Sequence, residues 1–248
     1  MKEIAIITGA SSGLGSDFAT FIDKTEHLDE IWLVARREDR LLELSKKLKT
    51  KAVILALDLT QIGSIGKIQE KLKNENPNLR FLINNAGYGL VGRFDELDKE
   101  KQLRMIDLNT RALTELTLVS LPFIQKDGKI IQVASSAGYA PLGNFAVYAA
   151  TKSYVLHFSL AISGELKQKG IYVLAVCPGP VKTEFFEIAG GKPPKLAANS
   201  QDVVRLALKD SKKRKTVSVY GFAIKAFVVL TCFLPKRLIV WLSYKVKA

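Results

Sequence analysis

Short runs of apolar, often β-branched residues alternate with stretches of helical periodicity along most of the chain. The apolar runs lack the polar alternation of half-exposed strands, so both faces of each strand are expected to be covered. The predicted strands span residues 3–9, 30–35, 52–58, 80–87, 129–136 and 171–179. The predicted helices between them span residues 14–25, 38–48, 62–74, 99–125 and 148–168.

This alternation predicts an α/β fold. A strand followed by a helix, repeated at this spacing, is typical of a parallel sheet, and right-handed crossovers place helices on both faces. The predicted architecture is therefore a doubly wound, Rossmann-type parallel sheet. A length of 248 residues suits one large domain of this kind, which is predicted to comprise residues 1–221.

The regular alternation of predicted strands and helices ends after residue 180. Glycine and proline pairs at residues 190–191 and 193–194 predict a loop, before a helix over 200–209 and a last strand over 216–221. Residues 222–248 form an apolar C-terminal extension, whose first run is shorter than the roughly 20 residues of a transmembrane helix. Its basic flanks (Lys236, Arg237, Lys245 and Lys247) leave three alternatives open: contact with a membrane surface, binding of a lipid-like substrate, and packing within the chain or against another subunit.

The formal net charge of +13 favours anionic partners such as nucleotide phosphates, acidic proteins or anionic lipid, and the basic run at residues 212–215 is equally compatible with a solvated loop. No helix-turn-helix, zinc-finger or RNA-binding pattern accompanies the charge, so no nucleic-acid binding is predicted. The two histidines and two cysteines lack metal-ligand or disulfide spacing, so no metal site is predicted. The cysteine usage and the N-terminal sequence predict a reducing, cytoplasmic setting.

The segment TGASSGLG (residues 8–15) follows the first predicted strand and opens the first helix. Its glycines allow a tight turn and a close approach of the backbone, while the helix N-terminus offers free N–H groups. This combination predicts a binding site for the pyrophosphate of a dinucleotide. The predicted contact residues are Gly9, Ser11, Ser12, Gly13, Leu14 and Gly15.

Two arginines follow the second strand, where NAD-binding proteins often carry an acidic residue for the ribose 2′-hydroxyl. A guanidinium at Arg36 or Arg37 suits the 2′-phosphate of NADP instead. The predicted cofactor is therefore NADP(H). Which arginine carries the selectivity stays open, and Glu38 and Asp39 nearby are compatible with an ordinary charged surface.

Tyr148 and Lys152 are four residues apart, so they share one face of the predicted helix. A nearby ammonium stabilises a phenolate and lowers the tyrosine pKa from about 10. A tyrosine tuned in this way can exchange a proton with a substrate oxygen as a general acid or base. Ser135 and Ser136, upstream in the same stretch, are candidates for a hydroxyl that hydrogen-bonds the substrate oxygen.

Five motifs occur in the order typical of one family: TGASSGLG, NNAG (84–87), a serine after the fifth strand, YAATK, and PGPVKT (178–183). In these motifs, over roughly residues 3–185, the chain resembles the short-chain dehydrogenase/reductases. The resemblance implies transfer of a hydride between NADP(H) and a small-molecule carbonyl or secondary alcohol. It also implies a homo-oligomer, a dimer or tetramer paired through the helices over 99–125 and 148–168.

The resemblance assigns further roles. Ser135 fits the family's S-x-A-G pattern 13 residues before Tyr148, with Ala134 replacing the usual preceding serine. Asn109 matches an asparagine linked through water to the active-site lysine. The resemblance implies cofactor contacts at Asp58, Asn85, Ala86, Gly87, Tyr148, Lys152, Pro178, Gly179, Val181 and Thr183.

In the family the segment after PGPVKT, here about 184–200, covers the substrate. Phe185, Phe186 and Ile188 make this segment apolar, which favours a hydrophobic carbonyl compound. An alternative function is a catalytically silent regulator that senses NADP. The complete set of Asn109, Ser135, Tyr148 and Lys152 argues against it, because a sensor has no chemical need for these groups.

Overall fold

The computed structural model describes residues 1–191, 194 and 196–245. Seven parallel strands form one sheet in the order β3-β2-β1-β4-β5-β6-β9, and two short strands, β7 and β8, pair separately. The strands are β1 (Glu3–Thr8), β2 (Glu30–Ala35), β3 (Lys51–Ala56), β4 (Asn78–Asn84), β5 (Lys129–Val133), β6 (Tyr172–Val176), β7 (Val181–Lys182), β8 (Ala198–Asn199) and β9 (Val217–Ser218).

Ten α-helices surround the sheet in the described part of the chain. They are α1 (Gly13–Thr25), α2 (Glu38–Ser45), α3 (Ser64–Glu75), α4 (Lys99–Ile106), α5 (Leu113–Ser120), α6 (Ala146–Lys167), α7 (Phe185–Ala189), α8 (Ser200–Lys212), α9 (Phe222–Phe233) and α10 (Lys236–Lys245). A π-helical segment (Asp107–Ala112) joins α4 to α5, and 3₁₀ turns occur at Leu121–Phe123 and Ser136–Tyr139.

The apolar runs of the sequence fill two layers, one on each side of the sheet. Along β1, Ala5 and Ile7 belong to the layer that includes Phe18 of α1, while Ile4 and Ile6 belong to the opposite layer with Ile68 of α3. Successive side chains of a strand point to opposite faces, so a fully apolar strand is the pattern that a doubly covered sheet requires. The predicted doubly wound fold is confirmed.

The strand order reverses between β1 and β4, which are direct neighbours although a long stretch of chain separates them. The connections from these two strands leave toward opposite sides of the sheet, which opens a crevice at their carboxyl ends. The segments after β1, β4, β5 and β6 therefore meet at one edge. These are the segments that carry the motifs.

Several predicted strands extend too far at their carboxyl ends. The residues predicted as strand at 85–87, 134–136 and 177–179 have left the hydrogen-bonded ladder and form loops at the sheet edge. The last strand is also shorter than predicted, and the predicted helix over 99–125 contains the π-helical segment. The motif residues leave the sheet and line the crevice at its edge.

The C-terminal extension folds into two helices, α9 and α10, that sequence analysis did not predict. Thr231 and Ile239 are buried against the rest of the chain, and the backbone N–H of Gly143 donates to Ser243 Oγ at 2.7 Å. Within the described residues, no helix is both long and apolar enough to cross a membrane. Of the sequence features named above, Lys192, Pro193, Lys195 and Lys247 lie outside the described residues.

Candidate active site

A cleft of about 780 Å³ opens at the carboxyl edge of the sheet, within the range of small-molecule and cofactor sites. The predicted site residues line this cleft, except Gly15 and Asn109, which lie behind its wall. Lining residues from these motifs are Gly9, Ser11, Ser12, Gly13, Leu14, Arg36, Arg37, Asp58, Asn85, Ala86, Gly87, Ser135, Tyr148, Lys152, Pro178, Gly179, Val181 and Thr183.

The turn between β1 and α1 forms the floor of one end of the cleft, which is called the phosphate end because the sequence predicts pyrophosphate binding there. Gly9 has a φ of 64°, and a Cβ at this position would lie 2.6 Å from Nδ2 of Asn85, so only glycine fits there. A Cβ on Gly15 would meet the carbonyl oxygen of Gly9 at 2.2 Å. Gly15 therefore lies behind the turn and is not among the residues that line the cleft, and its predicted cofactor contact stays a prediction.

The β1 and β4 loops are held together at the crevice by Thr8. Its hydroxyl oxygen accepts hydrogen bonds from the backbone N–H groups of Asn85 at 2.9 Å and Ala86 at 3.0 Å. The Asn85 amide in turn donates to the carbonyl oxygen of Thr8 at 3.0 Å. This bonding fixes the NNAG segment beside the glycine turn.

Arg37 lies across the mouth of the phosphate end. Its Nη2 donates to Ser12 Oγ at 2.9 Å and to Ser11 Oγ at 3.1 Å, while Nη1 donates to Glu184 Oε2 at 2.9 Å. Arg40 also forms an ion pair with Glu184. The hydrogen bonds from Arg40 and Arg37 lower the pKa of Glu184. The carboxylate just before α7 is thus tied to the arginine beside the glycine turn.

Asp58 lies at the far end of the cleft, after β3. It forms an ion pair with Arg104, and one of its oxygens accepts from Thr60 Oγ1 at 2.7 Å. Burial alone raises its pKa, but the hydrogen bonds from Thr60 and the charges of Arg104 and Arg36 outweigh burial and lower it. Arg36 therefore faces the Asp58 end, whereas Arg37 faces the two serines.

Tyr148 is almost enclosed, with 7% of its surface exposed. Its ring stacks on Phe145 at 4.3 Å between centroids and lies 5.3 Å from Phe185. Burial raises the pKa of Tyr148 to about 12, although a hydrogen bond with Ser135 acts in the opposite direction. In the protein without cofactor, loss of water around the phenolate therefore decides the direction of the shift, and the lowering expected from Lys152 together with the oxidised nicotinamide stays a prediction.

Lys152 is also buried, at 5% exposure. Its ammonium nitrogen lies 5.7 Å from the Tyr148 ring centroid and donates to the carbonyl oxygen of Val133 at 2.7 Å. Burial lowers the pKa of Lys152 to about 8. The ammonium is therefore mostly charged at neutral pH and loses its proton under mildly alkaline conditions, which makes it the more easily titrated member of the pair.

The π-helical segment between α4 and α5 carries Asn109 behind Lys152. The Asn109 amide donates to the carbonyl oxygen of Tyr88 at 2.9 Å and to Thr151 Oγ1 at 3.1 Å, and its oxygen accepts from the Tyr88 N–H at 3.1 Å. Such π-helical insertions are frequent at functional sites. Here the insertion joins the NNAG loop to the helix of Tyr148 and Lys152.

Replacing Asn109 with Ala is expected to lower the free energy of unfolding by about 1–3 kcal/mol, because it removes three hydrogen bonds, two to the backbone of Tyr88 and one to Thr151 Oγ1. Urea denaturation of both proteins measures the change. Asn74→Ala, which removes an exposed amide from the solvent side of α3, is the matched control and should change little. Equal stability of wild type and Asn109→Ala would contradict this bridging role.

Sequence reasoning missed several residues of this site. Phe145, Leu142 and Leu90 line the cleft beside Tyr148, and Phe227 enters it from α9. Nothing in the sequence marks them, because isolated apolar residues in loops and helices have no distinctive spacing. Glu184, which bonds Arg37, was missed because their contact joins segments far apart in the chain.

The family model for the short chain dehydrogenases matches residues 3–190. This chain is a short-chain dehydrogenase/reductase. The resemblance stated from the motifs is therefore confirmed, and the match covers the glycine turn, the NNAG loop, the serine, the tyrosine–lysine helix and the start of the segment after PGPVKT.

Two curated relatives resemble this short-chain dehydrogenase. An uncharacterized oxidoreductase of Staphylococcus epidermidis is 31% identical over 211 residues, covering 84% of this chain and 91% of the relative. An NADP-dependent 3-hydroxy acid dehydrogenase of Schizosaccharomyces pombe is 34% identical over 187 residues, covering 73% of this chain and 72% of the relative.

Among solved structures, a short-chain dehydrogenase from Sphingobium yanoikuyae in complex with NADPH superposes with a TM-score of 0.81. It is 30% identical, and the match covers 94% of this chain and 97% of that structure. The likeness therefore extends beyond the residues that the family model matches, because 94% of the chain exceeds the span of residues 3–190.

Proposed function

We propose that this short-chain dehydrogenase transfers a hydride between NADP(H) and the carbonyl or secondary alcohol of a hydrophobic small molecule. The observation that carries the proposal is the position of Ser135, Tyr148 and Lys152 in one cleft, beside the glycine turn. The three residues line the same cleft, and the ammonium nitrogen of Lys152 lies 5.7 Å from the centroid of the Tyr148 ring. A phenol that can donate a proton, a serine hydroxyl and a buried cation thus lie in one cleft.

The residues present fit a dinucleotide. The glycine turn leaves room for a pyrophosphate at the N-terminus of α1, and the NNAG and PGPVKT segments line the same cleft. We propose that Asp58 and the NNAG residues hold the adenosine side, and that Val181 and Thr183 hold the nicotinamide side. When bound, NADP(H) supplies or accepts the hydride.

Tyr148 would donate its proton to the carbonyl oxygen during reduction and take it back during oxidation. A pKa raised to about 12 keeps the phenol protonated at neutral pH, which suits donation. Ser135 would hydrogen-bond the same oxygen and hold it in place. Lys152 would stabilise the phenolate that remains, because its ammonium lies near the ring and is charged at neutral pH.

Aromatic and aliphatic side chains surround the reacting end and support a hydrophobic substrate. Phe145 and Phe185 flank the Tyr148 ring, and Leu90 and Leu142 line the same wall. A polar or charged substrate group would lose its hydration here without a partner. The segment over about 184–200, which supplies Phe185, is proposed as the part that covers the substrate.

The preference for NADP(H) is proposed to depend on Arg37. The doubly wound fold accepts either nicotinamide cofactor, so the choice depends on the residue that meets the ribose. Arg37 presents its guanidinium beside the hydroxyls of Ser11 and Ser12, and these groups together suit a phosphate. Arg36, which faces Asp58, is proposed as the secondary contact.

Replacing Arg37 with Ala is expected to weaken NADPH binding roughly 10- to 100-fold, because a charge-assisted hydrogen-bonded pair contributes about 1.5–3 kcal/mol. NADH binding should change little. Calorimetric titration of both cofactors measures this. Arg40→Ala is the matched control, since Arg40 also pairs with Glu184 but does not line the cleft. An unchanged NADPH/NADH ratio in Arg37→Ala would contradict the assignment.

The proposed activity is tested by NADPH oxidation with a panel of hydrophobic and polar ketones and aldehydes. Turnover that favours the hydrophobic members and disappears in Tyr148→Phe is the expected result. Tight NADPH binding without turnover across the panel would favour the alternative of a regulator that senses NADP.

We propose a homo-oligomer that pairs through α4, α5 and α6. The outer surfaces of these helices expose apolar side chains. Large exposed apolar patches are rare on monomeric proteins and often mark a contact with another subunit. The exposed apolar side chains are Leu103, Ile106, Leu118, Tyr154 and Leu160.

A cytoplasmic setting is proposed, since Cys177 and Cys232 are both free thiols.

A further inference from the structure

The helices α9 and α10, which are joined through Leu234 and Pro235 and are together called the α9–α10 hairpin here, both expose apolar side chains. On α9 an exposed stripe is formed by Phe222, Val229 and Phe233, which recur at helical spacing. The opposite side of α9 faces the enzyme: Thr231 is buried and Phe227 lines the cleft. On α10 the exposed apolar residues are Leu238, Trp241, Leu242 and Tyr244.

The hairpin carries positive charge without any acidic residue. No aspartate or glutamate follows Asp210 in the sequence. Among the described residues, neither Lys225 nor Arg237 forms an ion pair, and Lys236 donates only to backbone oxygens. The basic run at 212–215 differs, because three of its four residues pair with carboxylates of Glu26, Asp127 and Asp210.

Both helices of the hairpin contact loops that border the cleft. A Cβ on Gly179 would lie 2.4 Å from Ile224, and one on Gly143 would lie 2.6 Å from the Tyr244 ring, so both helices rest on glycines of the cleft loops. The 12 residues of α9 extend about 18 Å, well short of a hydrocarbon core of about 30 Å. Such helices can lie in a membrane interface but cannot cross it.

The hairpin also lies at the mouth of the cleft. It begins directly after β9, which runs parallel to β6, so it starts at the carboxyl edge where the cleft opens. Phe227 of α9 lines the cleft wall. The α7 segment at the same edge adds an exposed apolar side chain, Ile188. Apolar side chains therefore lie both on the exposed side of the hairpin and on α7, which also lines the cleft.

We propose that the α9–α10 hairpin docks on the surface of an anionic bilayer. Its aromatic and aliphatic face enters the headgroup region, and Lys225, Lys236 and Arg237 pair with lipid phosphates and carboxylates. Because Phe227 of the same helix lines the cleft, docking brings the cleft close to the bilayer, and we infer that the carbonyl substrate is a membrane-dissolved compound. The docking is inferred from the exposed apolar and basic residues of α9 and α10 alone, whereas the substrate class rests on the proposed function.

The docking is tested by flotation of the full chain with vesicles of phosphatidylcholine, with and without phosphatidylserine. The two tryptophans provide a second readout. Trp32 is fully buried, whereas Trp241 is 53% exposed, so a blue shift of emission on binding should come from Trp241 and vanish in Trp241→Phe. We expect retention on the anionic vesicles, this blue shift, and loss of binding at high salt.

Two variants separate the apolar and the charged contributions. Phe222→Ser/Phe233→Ser should bind at least about tenfold more weakly, and Lys225→Gln/Arg237→Gln about fivefold more weakly per charge. The matched controls are Leu42→Ser, at an apolar residue 45% exposed on α2, and Lys213→Gln in the other basic run. Circular dichroism verifies that each variant is folded.

Absence of vesicle binding by the wild type would overturn the docking. So would a change of oligomeric mass in Phe222→Ser/Phe233→Ser without a change in vesicle binding, because the face would then contact a second copy. For the substrate class, turnover of a ketone dissolved in the vesicles should fall with binding in both double variants, while a water-soluble ketone is reduced as before. Vesicle binding without any turnover would contradict only the proposed function.

Discussion

Tyr148→Phe is expected to lower kcat for ketone reduction by about 100- to 10,000-fold, the usual contribution of a positioned general acid. The substitution removes only the hydroxyl. The phenyl ring retains its stacking on Phe145 and its contact with Phe185, so the cleft keeps its shape. NADPH affinity should therefore stay within a few-fold of the wild type. Stopped-flow kinetics with saturating NADPH, together with a binding titration, measures both quantities.

The control for this substitution is Tyr154→Phe on the same helix. Tyr154 is 43% exposed, and its hydroxyl is 2.8 Å from that of Thr114, away from the cleft. Its loss should leave kcat within about twofold, as is usual for surface changes. If Tyr148→Phe retained more than a tenth of the wild-type rate, another group would have to supply the proton, and the assignment of Tyr148 would be wrong.

The second large effect concerns Lys152 and pH. Burial lowers the pKa of its ammonium to about 8, so the charged form predominates at pH values below about 8. Since the charge stabilises the phenolate that forms as Tyr148 gives up its proton, kcat/KM for ketone reduction should fall as the pH rises past about 8. Lys152→Met should be slower by about 100- to 1,000-fold at pH 7 and should lose this alkaline decline.

Lys129→Met is the control for the pH profile. Burial also lowers the pKa of Lys129, but this lysine lies at the start of β5, at the opposite end of that strand from Ser135. A profile that is unchanged in Lys129→Met and flattened in Lys152→Met would assign the decline to Lys152. The same decline in Lys152→Met as in the wild type would mean that a different group titrates.

The fold was predictable because its strands are buried on both faces. A run such as Ile4–Ile7 has no polar residue to place toward solvent, and the helical stretches between such runs leave few topologies. The ends of the strands were not predictable to the residue. Ala134 and Cys177 are as apolar as the strands they follow, although they already belong to the loops at the sheet edge.

The candidate site was predictable where its residues occur in motifs with fixed spacing, as for Tyr148 and Lys152. It was not predictable where a contact joins distant segments, as for Arg37 and Glu184. The tyrosine pKa also escaped prediction, because it depends on how completely Phe145 and Phe185 exclude water from the ring. The helices of the C-terminal extension lacked a clear signal, since a nearly uniform apolar run shows no periodicity.

The ion pairs of Glu184 have a consequence for changing the cofactor preference. Glu184 accepts hydrogen bonds from Arg37 and Arg40 and directly precedes α7, whose Phe185 contacts the Tyr148 ring. A substitution at position 37 thus also removes one of the two ion pairs at the start of α7. Variants selected for NADH would then acquire an altered KM for the ketone, although Arg37 is far from the reacting carbon. Redesign of this enzyme has to vary positions 37, 40 and 184 together.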